Sequence, residues 1–571
     1  MVQSTNAPQL AERVRAAAGA VEATEEAMEN APGNQVLDAL RANEAQVKRI
    51  LEGVMAFQRP DAALASINRF WSEQFRVLMG TSDIEPAKDD HRFEDPAWHE
   101  NGYYKLAMQS HLLLKQGLDE WVDGLPVEHK EAERIRFMLS LYTEALAPSN
   151  WPTNPAALRR YFETGGMSAL LGLQHMVEDA VRNGGMPSTV KRDALQVGRD
   201  LATTPGKVVY RSDVFELIQY APSTKQVHAR PFLMVPPQIN RYYFYDLSEK
   251  KSLIRYAVES GLQTFAISWR NPGSEHRDWN FDTYITAIEE AIDVVRDITG
   301  ARDVNLEGGC IAGMEVAALL ADLAGRRERK VHSATLMVTM FDTSVETPLG
   351  VLATPDSLEM AKTVSKMKGL MQGSEMGRIF AYLRPNDLIW NYWVNNYLLG
   401  NEPPAFDVLG WNADTTRMTA GFHADLLDLV QHNPLVRGEF KVCGRPIRLD
   451  AIECDQFWLS GLADHITPWR ACYASAQLLG GKREFVVSDG GHIQSMISSP
   501  NNPKAKYFVN PALPGTPDAW LEGAKEHAGS WWVRWRGWIK ARSGKLQKAS
   551  KTLGSRKHRP LADAPGTYVF E

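Results

Sequence analysis

The chain has little cysteine for its length: Cys310, Cys443, Cys454 and Cys472 are all that 571 residues contain. They show neither paired spacing nor the density of a disulfide framework, and no CxxC or HxxxH pattern offers a zinc site. No structural or catalytic metal is therefore expected. Also missing is any apolar run long enough to cross a bilayer. The opening residues, "MVQSTNAPQLAERVRAAAGAVEATEE", have no basic start leading into an apolar core, so no secretory signal is expected. An excess of basic residues is absent too: the formal net charge is −6, which argues against a dedicated nucleic-acid binder. Together these absences point to a reducing cytoplasm. The length fits two or three domains.

The two halves read differently. From Pro8 to about Ala202, apolar residues recur at three and four positions, the period of an amphipathic helix. "ALASINRFWSEQFRVLMG" offers Leu64, Ile67, Phe70, Phe75 and Leu78 to a buried side. From Lys207, short apolar runs such as "RPFLMVPP", "QTFAISWR", "DVNLEGG" and "DQFWLSGLAD" alternate with helical stretches. Alternation of this kind predicts a parallel sheet covered on both faces, with functional loops at the strand carboxyl ends. Residues 1–202 are thus expected to form a helical domain, and 203–571 an α/β domain. A Met-, Trp- and Asn-rich interruption over about 343–454 reads as a cap inserted above the sheet, a lid over an apolar site.

One stretch carries chemistry. In "LEGGCIAGMEVAALL" a strand runs into Cys310 and a helix leaves it, with Gly308 and Ala312 two residues to either side. This is the pattern of a nucleophile elbow, where backbones come too close for larger side chains. The helix that follows aims its first N–H groups at the sulfur, favouring negative charge there and on a reacting carbonyl. By itself the pattern also fits a small apolar residue in a bend. Two later strands add partners in the order nucleophile, acid, histidine: "FWLSGLADHITPW" ends at Asp464 and "REFVVSDGGHIQS" at His492. His492 would take the thiol proton and Asp464 would fix its tautomer. His465 and Asp489 are rivals, read as turn residues. Oxyanion donors are expected from the N–H of Ile311 and from the loop "PPQINRYY", with Ile239 or Asn240 the expected donor there; Pro236 and Pro237 have no N–H.

These segments, with "FAISWRNP", "RPNDLIWNYWVNNYLLG", "GSWWVRWRGW" and the amino-terminal "SNWPTNPAALRRYFETGGMSALLGL", resemble the polyhydroxyalkanoate synthases across nearly the whole chain beyond about residue 85. The single-polypeptide synthases with a medium-chain preference are the most similar. The resemblance implies an α/β-hydrolase fold with a cap insertion behind a mostly helical amino-terminal domain. It also implies Cys310 as acyl-carrying nucleophile, His492 as base and Asp464 as third catalytic residue. The implied substrate is (R)-3-hydroxyacyl-CoA, from which coenzyme A leaves as product while the polyester grows, with no other cofactor. A homodimer at the surface of cytoplasmic storage granules, alongside granule-associated proteins, follows from the same resemblance. The family usually has two glycines after its Cys-x pair, and Ala312 replaces the first. Two alternatives remain on sequence: a cysteine hydrolase of thioesters or polyesters, and an inactive granule scaffold.

Three features outside the triad carry expectations. Trp531, Trp532, Trp535 and Trp538 are expected to pack a carboxyl-terminal helix, with a granule-surface contact as the other reading. Trp411 is expected to pack or to contact a second subunit. The basic stretch "KARSGKLQKASKTLGSRKHRP" is expected to be a solvated, mobile tail.

Overall fold

The computed structural model describes residues 60–345 and 347–571, which divide into two units. The first comprises the described residues through Lys191 together with Gly377–Ala405; the second comprises Arg192–Met376 and Phe406–Glu571.

The first unit is helical. Asn101 starts the helix Gly102–Asp123 by accepting from the N–H groups of Tyr103 and Tyr104, and Asn154 does the same for Pro155–Glu163, satisfying N–H groups that have no partner inside the helix. Of the five apolar positions read in the helix Pro60–Leu78, the side chains of Leu64 and Ile67 lie outside the described residues. The structure corrects Phe75 and Leu78, which are 62% and 61% exposed, while Val77 is buried. Phe70 packs over Gly117 and Gln74 bonds Ser110. The inward stripe is therefore 70, 74 and 77, and the positions one residue on are rotated about 100° away from it. Gly377–Ala405, read from sequence as cap, is tied to these helices by Tyr397 to Asp179 at 2.8 Å, Asn396 to the Ser188 carbonyl and Trp393 to the Asn150 carbonyl.

The second unit is built on an eleven-stranded sheet. Its strands are β1 (Gly206–Arg211), β2 (Phe215–Tyr220), β3 (Phe232–Val235), β4 (Thr264–Trp269), β5 (Val304–Gly309) and β6 (Val331–Met337). After the insertion come β7 (Asp455–Gly461), β8 (Arg483–Ser488), β9 (Lys506–Val509), β10 (Lys525–Ala528) and β11 (Ala562–Asp563). The spatial order is β10-β9-β8-β7-β6-β5-β3-β4-β2-β1-β11. The six strands from β4 to β8 are parallel, and they read as continuous apolar runs because helices cover both faces. The edges are antiparallel, since links as short as residues 212–214 cannot make the crossover that parallel pairing needs. Helix Phe281–Thr299 starts at Asn280 and stops at Gly300, whose φ of 68° ends it.

The carboxyl-terminal region corrects one expectation and decides two others. The basic stretch is not a loose tail. Leu546–Lys548 pairs with Gln226–His228, Lys557 and His558 meet Asp297, and β11 covers the edge of β1. An uncovered strand edge leaves a row of unpaired backbone groups, and this segment supplies the partners that mean sequence polarity did not reveal. Trp531, Trp532, Trp535 and Trp538 are all buried, with Phe457 and Phe232 of the sheet against them. Trp411 is buried beside Phe244 and donates to the Arg241 carbonyl at 2.8 Å, which is packing inside the subunit.

Candidate active site

β5 ends at Gly309, Cys310 makes the turn, and the helix Ile311–Gly325 begins at once. Cys310 has φ 53° and ψ −123°, a left-sided conformation that costs an L-residue about 1–3 kcal/mol. Its N–H bonds the Met337 carbonyl at 2.8 Å and its carbonyl accepts from Gly313, which holds the turn in place. The flanking glycines answer close approach. A Cβ on Gly308 would meet the Ala312 carbonyl and Val316 at 2.8 Å, one on Gly309 would meet the Tyr245 hydroxyl at 2.5 Å, and one on Gly313 would meet Thr339 at 2.7 Å. Ala312 is itself fully buried, so the tight contacts fall on the three glycines and the extra methyl at 312 is accommodated.

Asp464 and His492 arrive from the carboxyl ends of β7 and β8. His492 Nδ1 lies 2.8 Å from Asp464 Oδ2, and Cys310 is near enough to influence the charge of the imidazole. Burial alone would push the imidazole down. The carboxylate of Asp464 and the influence of Cys310 outweigh it and raise it to about 10. For Asp464, burial pushes up, but the His492 charge and the bonds from His492 and Thr467 win and hold it below the usual carboxylate range. Asp464 and His492 are thus in direct contact, and both stand at the same carboxyl edge of the sheet as Cys310. Of the rivals, His465 is half-buried, and Asp489 sits in a turn with its N–H on the Lys506 carbonyl.

The oxyanion side is asymmetric. Ile311 supplies the first N–H of its helix. In the loop after β3, Asn240 has φ 65° and donates its N–H to Thr416 Oγ1 at 2.8 Å. That donor is committed, whereas the N–H of Ile239 takes no protein acceptor among the described residues.

Three features escaped the reading of the sequence. Thr467 Oγ1 lies 2.9 Å from Asp464 Oδ2, 2.9 Å from the Val338 carbonyl and 3.1 Å from His492 Nδ1. The signal was present in "ADHIT", since an Asp three residues before a Thr closes a turn on its own N–H groups: Asp464 Oδ1 accepts from Ile466 and Thr467. Val338, β-branched, is held at φ 44° to place that carbonyl. The other two features are buried acids, Glu307 on β5 and Glu315 on the nucleophile helix. Burial raises Glu307 well above the usual carboxyl range, and it accepts from the Tyr245 hydroxyl. Burial likewise pushes Glu315 up to about 8, against a bond from Gln238 Nε2 at 2.9 Å. Both were visible as lone charges in apolar runs, a combination that burial makes expensive unless the acid keeps its proton.

No helix among the described residues is long and apolar enough to cross a membrane, and no group of three or more metal-ligating side chains occurs among them. Residues 89–257 match the model described as Poly-beta-hydroxybutyrate polymerase (PhaC) N-terminus, and residues 237–498 match the alpha/beta hydrolase fold. The chain is 49% identical to Poly(3-hydroxyalkanoate) polymerase 1 of Ectopseudomonas oleovorans, over 90% of this chain and 92% of that protein. It is 47% identical to polymerase 2 of the same organism, over 87% and 89%. With the polymerase subunit PhaC of Cupriavidus necator it shares 38% identity over 91% and 90%. An α/β-hydrolase sheet, an amino-terminal region of the polymerase type and this identity over nearly the full length of its relatives place the chain in the poly(3-hydroxyalkanoate) polymerase family, a family of acyltransferases.

Proposed function

We propose that this chain polymerises (R)-3-hydroxyacyl-CoA into polyester through a thioester on Cys310, releasing coenzyme A. His492 takes the proton from the thiol, the sulfur attacks the substrate thioester carbonyl, and the N–H groups of Ile311 and Ile239 receive the charge on oxygen. The carbon–sulfur bond to coenzyme A breaks and His492 returns the proton to the leaving thiolate. In the second half His492 takes the proton of an incoming 3-hydroxyl. Its oxygen forms the ester, and Cys310 leaves as thiolate and recovers the proton. Asp464 keeps Nδ1 protonated and supports the imidazolium in both halves. Exchange of one thioester for another costs little, so the acyl group stays activated until the ester forms.

The observation that carries the proposal is the His492 imidazole held by Asp464 at 2.8 Å, with Cys310 acting on its charge from the turn of a nucleophile elbow. Met371, Met376 and Met418 line a small cleft that also touches Ile239. This supports an acyl site under the insertion, from which water must be kept. The helical unit exposes Trp71, Phe75 and Phe162, which supports work as a homodimer at a polyester surface. Light scattering and co-sedimentation with granules test that part. Purified protein given 3-hydroxyoctanoyl-CoA should release coenzyme A and form solvent-extractable polyester, and Cys310→Ala should do neither. Polymer from the alanine variant would overturn the proposal, and free 3-hydroxy acid from the native chain would make it a hydrolase.

A further inference from the structure

The loop that carries Ile239 does not hold its own shape. Asn240 is at φ 65°, and Pro236 and Pro237 contribute no N–H. What fixes the loop comes from elsewhere. The Thr416 hydroxyl donates to the Gln238 carbonyl at 2.7 Å and accepts from the Asn240 N–H at 2.8 Å. One side chain from the insertion therefore clamps the peptide groups on both sides of Ile239, and the N–H assigned to the oxyanion is the other end of the peptide whose carbonyl, that of Gln238, it holds. Around it, Trp411 donates to the Arg241 carbonyl, and Asp414 accepts from Arg241 and Tyr243. On the opposite side Gln238 Nε2 bonds Glu315 of the nucleophile helix at 2.9 Å.

We propose that Thr416 is a positioning residue for acyl transfer: its hydroxyl sets the Ile239 peptide so that the N–H faces the carbonyl attacked by Cys310. The inference deepens the thioester reading above and rests on it. A hydroxyl that both donates to residue 238 and accepts from residue 240 specifies the orientation of what lies between. No apolar residue of the same shape can do that, because each backbone group would be left without its partner. The clamp also makes the oxyanion site depend on the insertion. The donor is in place only while the segment Trp411–Arg417 is docked on the loop, so the covering segment and the catalytic geometry are set by one contact.

The test uses the full chain and 3-hydroxyoctanoyl-CoA, with coenzyme A release as the readout. Thr416→Val keeps the shape and removes both bonds, and kcat should fall on the order of 10- to 100-fold with KM within about twofold, the signature of a contact made in the transition state. Thr416→Ser keeps the hydroxyl and should restore kcat to within about threefold. Alkylation of Cys310 by iodoacetamide should proceed at the native rate in both variants, because the clamp acts on the acceptor side and not on the thiol. Native kcat in Thr416→Val would overturn the inference. So would a serine variant as slow as the valine one, or a loss of kcat matched by an equal loss of alkylation rate. If Thr416→Val does not fold, Thr416→Ala removes the same two bonds with less bulk and is read in the same way: a kcat lower by about 10- to 100-fold supports the inference, and a native kcat overturns it. Failure of the thioester reading shows separately, as turnover that persists in Cys310→Ala.

Discussion

His492 sits between two groups that favour its charged form, and the order of their influence predicts how it titrates. Asp464 contributes more than Cys310, so Asp464→Asn should move the imidazole down further than Cys310→Ala, with both below native. Histidine ring nitrogen shifts followed against pH by NMR check this, and an unchanged value in either variant would contradict the arrangement. The linkage to stability has a definite sign. A His492 raised to about 10 from 6.5 contributes stability that is complete below 6.5 and is lost as pH rises toward 10. A lowered Asp464 contributes stability that is complete above 3.8 and is lost as pH falls below it. The pair therefore stabilises the fold most between these two values. The placing of Cys310, Asp464 and His492 at one edge was legible in the sequence because each follows an apolar strand, and parallel strands bring their carboxyl ends together. Thr467 was legible only as the end of a turn on Asp464; its contact with the carbonyl of Val338, 129 residues away in sequence, was not.

At the scale of the element, the elbow is a strand and a helix packed too closely for a side chain at the join. Gly309→Ala would place a methyl 2.5 Å from the Tyr245 hydroxyl, which is bonded to Glu307. Tyr245 is fully buried and cannot swing into solvent. The substitution should cost about 1–3 kcal/mol of stability through overpacking and slow turnover by shifting Cys310. Thermal unfolding and coenzyme A release from the same preparation check the two effects, and a variant native in both would show that the strand yields without strain. The short helix His492–Met496 is held from behind, where Trp531 and Trp532 donate their indole N–H groups to the carbonyls of Ser495 and Met496. The tryptophan cluster thus helps to set the position of His492, through the helix that carries it. Helical spacing of four tryptophans announced that they pack, whereas their hydrogen-bond acceptors depended on which helix the sheet placed beneath them.

At the scale of the molecule, the carboxyl-terminal segment closes the second unit. Glu216, buried on β2, accepts from the N–H groups of Thr567 and Tyr568 and from Arg211, and β11 covers β1. Removing residues 545–571 would uncover that edge, free the Gln226–His228 strand and leave a buried carboxylate short of donors. Each such loss costs about 1–3 kcal/mol. The shortened chain should unfold at lower temperature and aggregate through the exposed edge. Differential scanning calorimetry with a sedimentation assay checks this, and native melting without aggregation would mean the segment is dispensable. The segment between β6 and β7 was readable as an inserted helical region, but not as two allegiances. Gly377–Ala405 groups with the helical unit while Thr416 reaches the oxyanion loop.

By itself the sequence determined the alternation of strand and helix, the position of the elbow and the placing of Cys310, Asp464 and His492 at successive strand ends. Those follow from local periodicity and from the requirement for small residues at one turn, both of which are written in contiguous residues. Only the tertiary structure decided which face of the helix Pro60–Leu78 is buried, that the basic carboxyl-terminal stretch pairs with Gln226–His228, and that one threonine from the insertion clamps the loop after β3. In each case the deciding partner lies far along the chain. Burial and hydrogen-bond pairing belong to surfaces that exist only once distant segments have met.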